Sequence, residues 1–206
     1  MDSNRYPKKC YGMLKRLAEH RCITSVNWVY NVQSLLFHLG FGHVWLNQGV
    51  GSASLFLSEF KQRVRDCAIQ TWNANISLSS KLRTYKNFKT LLEHEMYLNC
   101  VNIQKFRIAL SRFRCSSHDL CIETGRHENV PAEHRFCKYC IPSVVEDEYH
   151  FLAICPHYND LRTRHLPEWF RINPSYDKFI SLLSSKNAVC LNQLAVFIYF
   201  AMESRI

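Results

Sequence analysis

Three cysteines and one histidine between residues 137 and 155 have the types and the spacing of metal ligands. Two residues separate Cys137 from Cys140, His150 follows ten positions later, and Cys155 comes five positions after that. Two thiolates in one tight turn can bind a single ion, and zinc favours four nitrogen and sulfur ligands in a tetrahedron. Four protein ligands leave no open coordination position, so the pattern predicts a structural zinc ion and not a catalytic one.

Two further histidines leave alternatives to this ligand set. His157 follows Cys155 by two positions and could replace either Cys155 or His150 as a ligand. His134 lies shortly before the first cysteine pair. The set that contains both His150 and Cys155 is the one that we predict.

A second group of candidate ligands precedes the first one in the chain. Cys115, His118 and Cys121 are each separated by two residues, but a fourth ligand is missing unless Cys100 supplies it. We therefore interpret this second group as two semi-buried cysteines and a hydrogen-bonded histidine, and we do not predict a metal there.

A short helix is needed to bring the second pair of ligands to the metal. On an ideal helix of about 100° per residue, His150 and Cys155 would lie roughly 140° apart, too far for one ion. Pro156 disfavours helical backbone at the residue before it. We therefore predict a helix that begins near Glu146, carries His150 inward and ends where Cys155 turns back. Negative charge at 146–148 suits the start of such a helix.

The rest of the chain has the pattern of helix after helix. Glycine and proline are scarce, with 6 of each in 206 residues, and alternation typical of strands is nearly absent. We predict a mainly α fold, with a helical bundle-like body and a small CCHC zinc knuckle toward the C-terminal half. Residues 121–137 are predicted to form a loop. The predicted helices cover residues 8–20, 25–39, 53–72, 78–98, 102–114, 158–165, 176–184 and 188–204.

The clearest amphipathic pattern belongs to the predicted helix over 53–72. Its apolar positions recur at helical spacing on one face: Leu57, Phe60, Val64, Cys67 and Ala68. This pattern predicts that the face packs into a core, and that Cys67 is a core residue and not a metal ligand.

The helix predicted over 102–114 is basic. The segment from 96 to 118 contains no Asp or Glu, and its positive side chains are Lys105, Arg107, Arg112 and Arg114. The whole chain has a formal net charge of +9, which favours polyanionic partners through counterion release. Two interpretations remain: a helix that contacts phosphates of RNA or DNA, or an ordinary helix with a solvated basic face.

Cellular location is indicated only in outline. The most apolar run, residues 194–202, is far shorter than the ~20 residues needed to cross a bilayer. The N-terminal stretch is basic and lacks the continuous apolar segment of a signal peptide. We expect an intracellular protein, nuclear or cytoplasmic, with no membrane partner, in which the ten cysteines are buried residues or metal ligands.

Several segments resemble a known family. RYPKKCY, LLFHLGFGHVW, FKQRVRDCAIQTW, FRIALSRFRCSSHDLCIETGR and, above all, RFCKYC with VEDEYHFLAICPHYNDLR are similar to the region downstream of the polymerase core in LINE-type (non-LTR) retrotransposon reverse transcriptases. The last segment resembles their zinc-binding module. The resemblance implies that zinc is bound by Cys137, Cys140, His150 and Cys155.

The polymerase activity of that family is not expected here. Its palm domain requires paired metal-binding aspartates, and no DD pair occurs in this chain. We expect three regions: a helical region over 1–118, a zinc-binding module over 119–165 and C-terminal helices over 166–206. The resulting hypothesis is a non-catalytic, zinc-stabilised module that binds RNA or DNA without sequence preference. The alternative is a structural or protein-interaction module that docks, for example, on a polymerase domain.

Overall fold

A computed structural model describes residues 6–20, 27–140 and 144–205. Over these residues the protein is mainly α-helical, and its β structure consists of an isolated antiparallel bridge between Phe136 and Val145. The prediction of a mainly α fold is confirmed. The chain divides into two compact units, Met1–Trp72 and Asn73–Ile206. None of the helices in the described ranges is both long enough and apolar enough to cross a membrane.

The first unit is built from helices that the sequence pattern largely predicts. Their bounds are α1 Tyr6–Glu19, α2 Trp28–His38, α3 Gly42–Asn47 and α4 Ala53–Leu78, of which the residues after Trp72 belong to the second unit. The predicted start of α2 at residues 25 and 26 lies outside the described residues. Asn27 caps α2, because its side-chain oxygen accepts a hydrogen bond from Val29 N at 3.0 Å. Its amide group also donates to the Leu14 carbonyl at 3.0 Å, which joins α1 to α2.

Gly40 ends α2 as the sequence indicates. Its φ of +83° lies in the left-handed region, which glycine adopts without the steric cost that a side chain would add. The chain then turns into α3, where Val44 and Trp45 pack against Val29 and Leu36 of α2. The two helices bury the apolar core of the first unit.

The predicted apolar face of α4 is only partly buried. Phe60 and Cys67 pack against the core of the first unit, so the prediction for Cys67 is confirmed. Leu57 and Val64, however, are 51% and 42% exposed. The prediction that this whole face is buried is therefore wrong. The core of the first unit covers only a narrow stripe of the helix, and Leu57 and Val64 fall beyond its edge.

The second unit contains eight α-helices in the described residues, of which α7 and α12 are the longest. In chain order they are α5 Tyr85–Phe88, α6 Tyr97–Cys100, α7 Gln104–Arg114, α8 Cys121–His127, α9 Asn159–His165, α10 Glu168–Arg171, α11 Tyr176–Leu183 and α12 Ala188–Glu203. Single 3₁₀ turns cover Ala132–His134 and Pro156–Tyr158, and a π-helical turn covers His150–Ile154.

Two local predictions in this unit are wrong. The continuous helix over 78–98 is replaced by α5, α6 and an irregular stretch, in which Leu91 and Leu92 are exposed. Glu95 from this stretch forms ion pairs with Lys89 and Arg114 instead of taking part in a helix. The predicted loop over 121–137 contains α8 and a 3₁₀ turn.

The core of the second unit lies between α7 and α12. The last helix, α12, is a core helix, because its Leu194, Phe197 and Ile198 are fully buried. Phe151, from the π-helical turn, packs its ring 5.6 Å from Phe113 of α7 and 5.8 Å from Phe197 of α12. The segment that carries His150 and Cys155 is therefore part of the main core of this unit.

Candidate metal centre and basic surface

The four predicted ligands meet at one point. Cys137, Cys140, His150 and Cys155 each place one ligand atom within 4.8 Å of all the others. Cys155 Sγ lies 3.8 Å from Cys137 Sγ and 3.7 Å from Cys140 Sγ, and Cys140 Sγ lies 3.3 Å from His150 Nε2. No other group of three or more His, Cys, Asp or Glu side chains in the described ranges has such an arrangement. These residues could bind a metal ion.

Backbone pairing places the first two ligands. The Cys137 amide donates to the Val144 carbonyl at 2.7 Å, and the Glu146 amide donates to the Arg135 carbonyl at 2.9 Å. These bonds lie on either side of the bridge between Phe136 and Val145. Cys137 is thus held on a short antiparallel pair, which the sequence did not predict, and Cys140 follows it directly after the turn at 138–139.

A π-helical turn places the other two ligands. The Cys155 amide donates to the His150 carbonyl at 2.8 Å, a bond from residue i+5 to residue i. This wider turn brings residues five apart onto one side of the helix, which an α-helix would not. Asp147 caps the start by accepting from His150 N at 2.7 Å, and Cys155 leaves the helix with ψ of 120° before Pro156. The predicted start and end are confirmed, and the π geometry is new.

The alternative ligands lie outside this group. His157 stacks flat on the Tyr139 ring, with centroids 3.9 Å apart and an interplanar angle of 4°. His134 packs edge-on against Phe136. Neither histidine belongs to the cluster of four side chains.

Burial shifts the pKa values of three of the four candidate ligands in the direction that favours their neutral forms. Desolvation raises the pKa of the Cys137 and Cys155 thiols, and it lowers the pKa of the His150 imidazole. Without a cation the site therefore favours neutral side chains. A divalent ion reverses this preference for the cysteines, because it stabilises thiolates directly.

The acidic segment beside the centre is buried, not exposed. Glu146 and Glu148 are 0% and 1% exposed. Arg205 pairs with Glu146, and Arg83 pairs with Glu148. Two arginines distant in sequence therefore cover these carboxylates.

Hydrogen bonding decides the ionisation of both carboxylates. Burial would raise the pKa of the Glu146 carboxyl, but hydrogen bonds from Arg205 and Cys121 hold it below its usual range. Burial also opposes ionisation of Glu148, but a hydrogen bond from His118 and the charge of Arg83 lower its pKa to about 2. Both side chains are thus acceptor groups in fixed positions near the metal ligands.

The second Cys and His group does not come together. His118 Nε2 lies 3.2 Å from Glu148 Oε1, and the Cys121 amide donates to Glu146 Oε2 at 2.8 Å. Cys115 is exposed, whereas we expected it to be semi-buried. Burial and the nearby Glu146 raise the pKa of the Cys121 thiol to about 11, which disfavours the thiolate that a metal needs.

Two of the four basic residues on α7 are exposed. Lys105 and Arg112 line a groove of about 360 Å³ between α7 and α12, and Lys105 Nζ lies 4.7 Å from the centre of the Tyr199 ring. Asp119 and Glu203 line the same groove, so its walls carry both signs of charge. In the described part of the chain, neither Lys105 nor Arg112 forms an ion pair with a carboxylate.

The other two basic residues have internal partners. Arg107 is half-buried and donates to the Val101 carbonyl at 3.1 Å. Arg114 is only 4% exposed, pairs with Glu95 at 2.8 Å and lies over the Phe88 ring. Arg114 is therefore removed from the predicted phosphate-contacting set, because its charge is used inside the fold.

Comparisons with protein-family models, with curated proteins and with solved structures found no match. The resemblance to LINE-type reverse transcriptases therefore stays a prediction from the sequence motifs.

Proposed function

We propose that this chain is a non-catalytic nucleic-acid-binding module stabilised by a structural zinc ion, and that it derives from the C-terminal region of a LINE-type reverse transcriptase. Two parts of the molecule support the proposal. They are the cluster of Cys137, Cys140, His150 and Cys155, and the exposed basic side chains of α7.

The spacing of the cluster favours zinc. For tetrahedral zinc with bonds of about 2.3 Å to sulfur, two ligand sulfurs lie about 3.8 Å apart. The Cys155 sulfur is 3.8 Å and 3.7 Å from the other two sulfurs, so the site matches this geometry. Three sulfurs and one nitrogen are the soft donors that zinc accepts in closed structural sites.

The observation that carries the nucleic-acid proposal is the exposure of Lys105 and Arg112 without a carboxylate ion pair among the described residues. Each can contact a backbone phosphate, and such contacts are independent of sequence and sensitive to salt. The formal charge of +9 adds a general attraction for RNA and DNA. Arg107 can add a weaker contact, because part of its hydrogen-bonding capacity serves Val101.

Binding to labelled single-stranded RNA and duplex DNA across a salt series tests this proposal. The double variant Lys105→Glu with Arg112→Glu is expected to bind at least tenfold more weakly, with a salt slope smaller by about 2. The double variant Lys61→Glu with Arg63→Glu, on exposed positions of α4, makes the same change in net charge and serves as the control. Equal losses in both variants would contradict a specific role for α7.

One observation favours a protein-interaction module as the second candidate. The first unit exposes large apolar side chains on α3 and α4, namely Leu46, Leu55 and Leu57. Such side chains are common at surfaces that dock on another protein, such as a polymerase domain. A folded, zinc-bound chain that binds neither RNA nor DNA at low salt would favour this candidate.

A further inference from the structure

A polar cavity lies beside the π-helical turn. It has a volume of about 380 Å³, and its polar lining comes from Asn159, Arg162 and Thr163 of α9 together with Arg171 of α10. No Asp or Glu of the described ranges lines it. The cavity therefore combines two positive charges with a hydroxyl and an amide group, and this differs from the mixed groove at α7.

Arg162 is the unusual member of this lining. It is only 7% exposed, yet it forms no ion pair with a carboxylate in the described part of the chain. Its terminal nitrogens donate to the Cys155 carbonyl and to Asn159 Oδ1. Its Nε is buried and has no acceptor among the described residues. A buried cation with an unused donor is costly unless an anion compensates it.

We propose that this cavity binds one phosphate group, with Arg162 and Arg171 as its charged donors and the Asn159 amide as its polar one. Guanidinium groups match the oxygens of phosphate with paired, charge-assisted hydrogen bonds. The phosphate is either inorganic phosphate or a phosphate of a nucleic-acid chain. The second form rests on the proposed function, whereas phosphate binding itself does not.

The metal centre alone accounts for only part of this arrangement. Zinc with three thiolates and a neutral histidine carries a net charge of −1, and Arg162 is bonded to the backbone of one ligand, Cys155. That charge helps to stabilise the buried guanidinium. It does not use the free Nε of Arg162. The Thr163 hydroxyl donates to the Asn159 carbonyl at 3.0 Å, and in the described part of the chain Arg171 donates only through its Nε, to the Leu166 carbonyl at 3.1 Å. The terminal nitrogens of Arg171 therefore keep donors that the described fold does not use.

Titration of the zinc-bound chain of 206 residues with inorganic phosphate at constant ionic strength tests the site. The readout is the ¹H–¹⁵N signal of the Arg162 Nε, identified by its loss in Arg162→Lys. We expect this signal to shift saturably with phosphate and not with chloride. Arg171→Gln changes a less buried residue, so it preserves the fold and should weaken phosphate binding at least tenfold. Arg164→Gln, an exposed arginine of α9 outside the cavity, is the matched control and should change nothing.

Two results would overturn the proposal. One is a phosphate response that does not saturate, and the other is an equal response in Arg171→Gln and Arg164→Gln. If Arg162→Lys does not fold, the comparison of these two variants still decides the question through phosphate-dependent changes in melting temperature.

Oligonucleotides then distinguish the two sources of phosphate. If nucleic acid supplies the phosphate, Arg171→Gln should lower both phosphate and RNA affinity and reduce the salt slope for RNA by about 1. If RNA affinity is unchanged while phosphate affinity falls, the site is confirmed with free phosphate as its ligand. Saturable phosphate binding by a chain that binds no nucleic acid would contradict the proposed function and support this site.

Discussion

Two groups of cysteine and histidine lie near one another in the second unit, and only one of them has the geometry of a metal site. Cys137, Cys140, His150 and Cys155 converge within 4.8 Å. The group of Cys115, His118 and Cys121 has the same residue types at regular spacing but does not converge. Sequence spacing therefore identifies candidate ligands only. Whether these side chains are free to bind a metal depends on the hydrogen-bond partners that the fold places beside them.

The competing partners come from the segment that also supplies His150. Glu148 accepts from His118, and Glu146 accepts from the Cys121 backbone. Both carboxylates are buried and are held by Arg83 and Arg205. One short segment thus supplies His150 to the first group and binds His118 and the Cys121 amide of the second, so among the described residues only the first group is positioned to hold a metal.

The largest effect is expected from removing the metal or one of its ligands. Structural zinc contributes on the order of 10 kcal/mol to folding in small zinc domains. Cys140→Ser, or chelation of the wild-type chain, should therefore release the zinc and partly unfold the second unit. Metal analysis and circular dichroism melting measure both effects. Cys121→Ser is the matched control from the second group and should keep one zinc per chain; a loss of zinc in that variant would contradict the comparison.

A smaller effect is expected when Glu146, which accepts a hydrogen bond from the Cys121 amide, loses its ion pair with Arg205. Arg205→Met leaves Glu146 buried without its main ion pair, which should cost about 3–5 kcal/mol in the free energy of unfolding. Denaturant unfolding measures the loss, with the exposed Lys186→Met as control. A change below about 0.5 kcal/mol would show that Arg205 does not compensate Glu146 in solution.

Glu148→Gln should have a weaker effect than Arg205→Met. The amide keeps the shape of the side chain, and Arg83 is partly exposed and also lies 3.5 Å from Glu123. We expect a loss of about 2–3 kcal/mol with unchanged zinc content. Glu203→Gln, at an exposed position, controls for the charge change and should stay within about 0.5 kcal/mol. Binding of a second zinc ion by Glu148→Gln would show that this carboxylate alone blocks the second group.

The smallest effect is expected at the histidines that the sequence left as alternative ligands. His157→Asn removes a ring stacked on Tyr139, which should cost about 0.5–1.5 kcal/mol without changing the zinc content. His134→Asn should change neither stability nor zinc content by a measurable amount. Substoichiometric zinc in either variant would place that histidine in the ligand set.

The residues of the candidate metal group could be predicted from the sequence, whereas the backbone structure that positions them could be predicted only in part. The C-x2-C pair and the proline after Cys155 are local signals, so the four ligands and the ends of their helix could be identified. The π-helical turn could not, because a bond between residues i+5 and i depends on the packing of Phe151 between α7 and α12. The bridge at Phe136 likewise depends on pairing with Val145, which no period in the sequence shows.

The burial of charged residues was harder to predict from the sequence than the burial of apolar residues. The apolar length of α12 predicted its burial, because nearly every position in that helix has the same character. Arg112 and Arg114 look alike in the sequence, yet Arg114 is buried against Glu95, a residue from a stretch that was predicted to be helical. The burial of Glu146 and Glu148 could not be predicted for the same reason, since their partners Arg205 and Arg83 are distant in sequence.

X-ray absorption at the zinc edge of the purified chain shows directly which atoms bind the metal. We expect one zinc ion with three sulfur ligands at about 2.3 Å and one nitrogen ligand at about 2.0–2.1 Å. The same spectrum should be obtained from Cys121→Ser. Oxygen ligands, fewer than three sulfurs, or a spectrum that changes in Cys121→Ser would contradict the assignment of Cys137, Cys140, His150 and Cys155 as a closed metal centre.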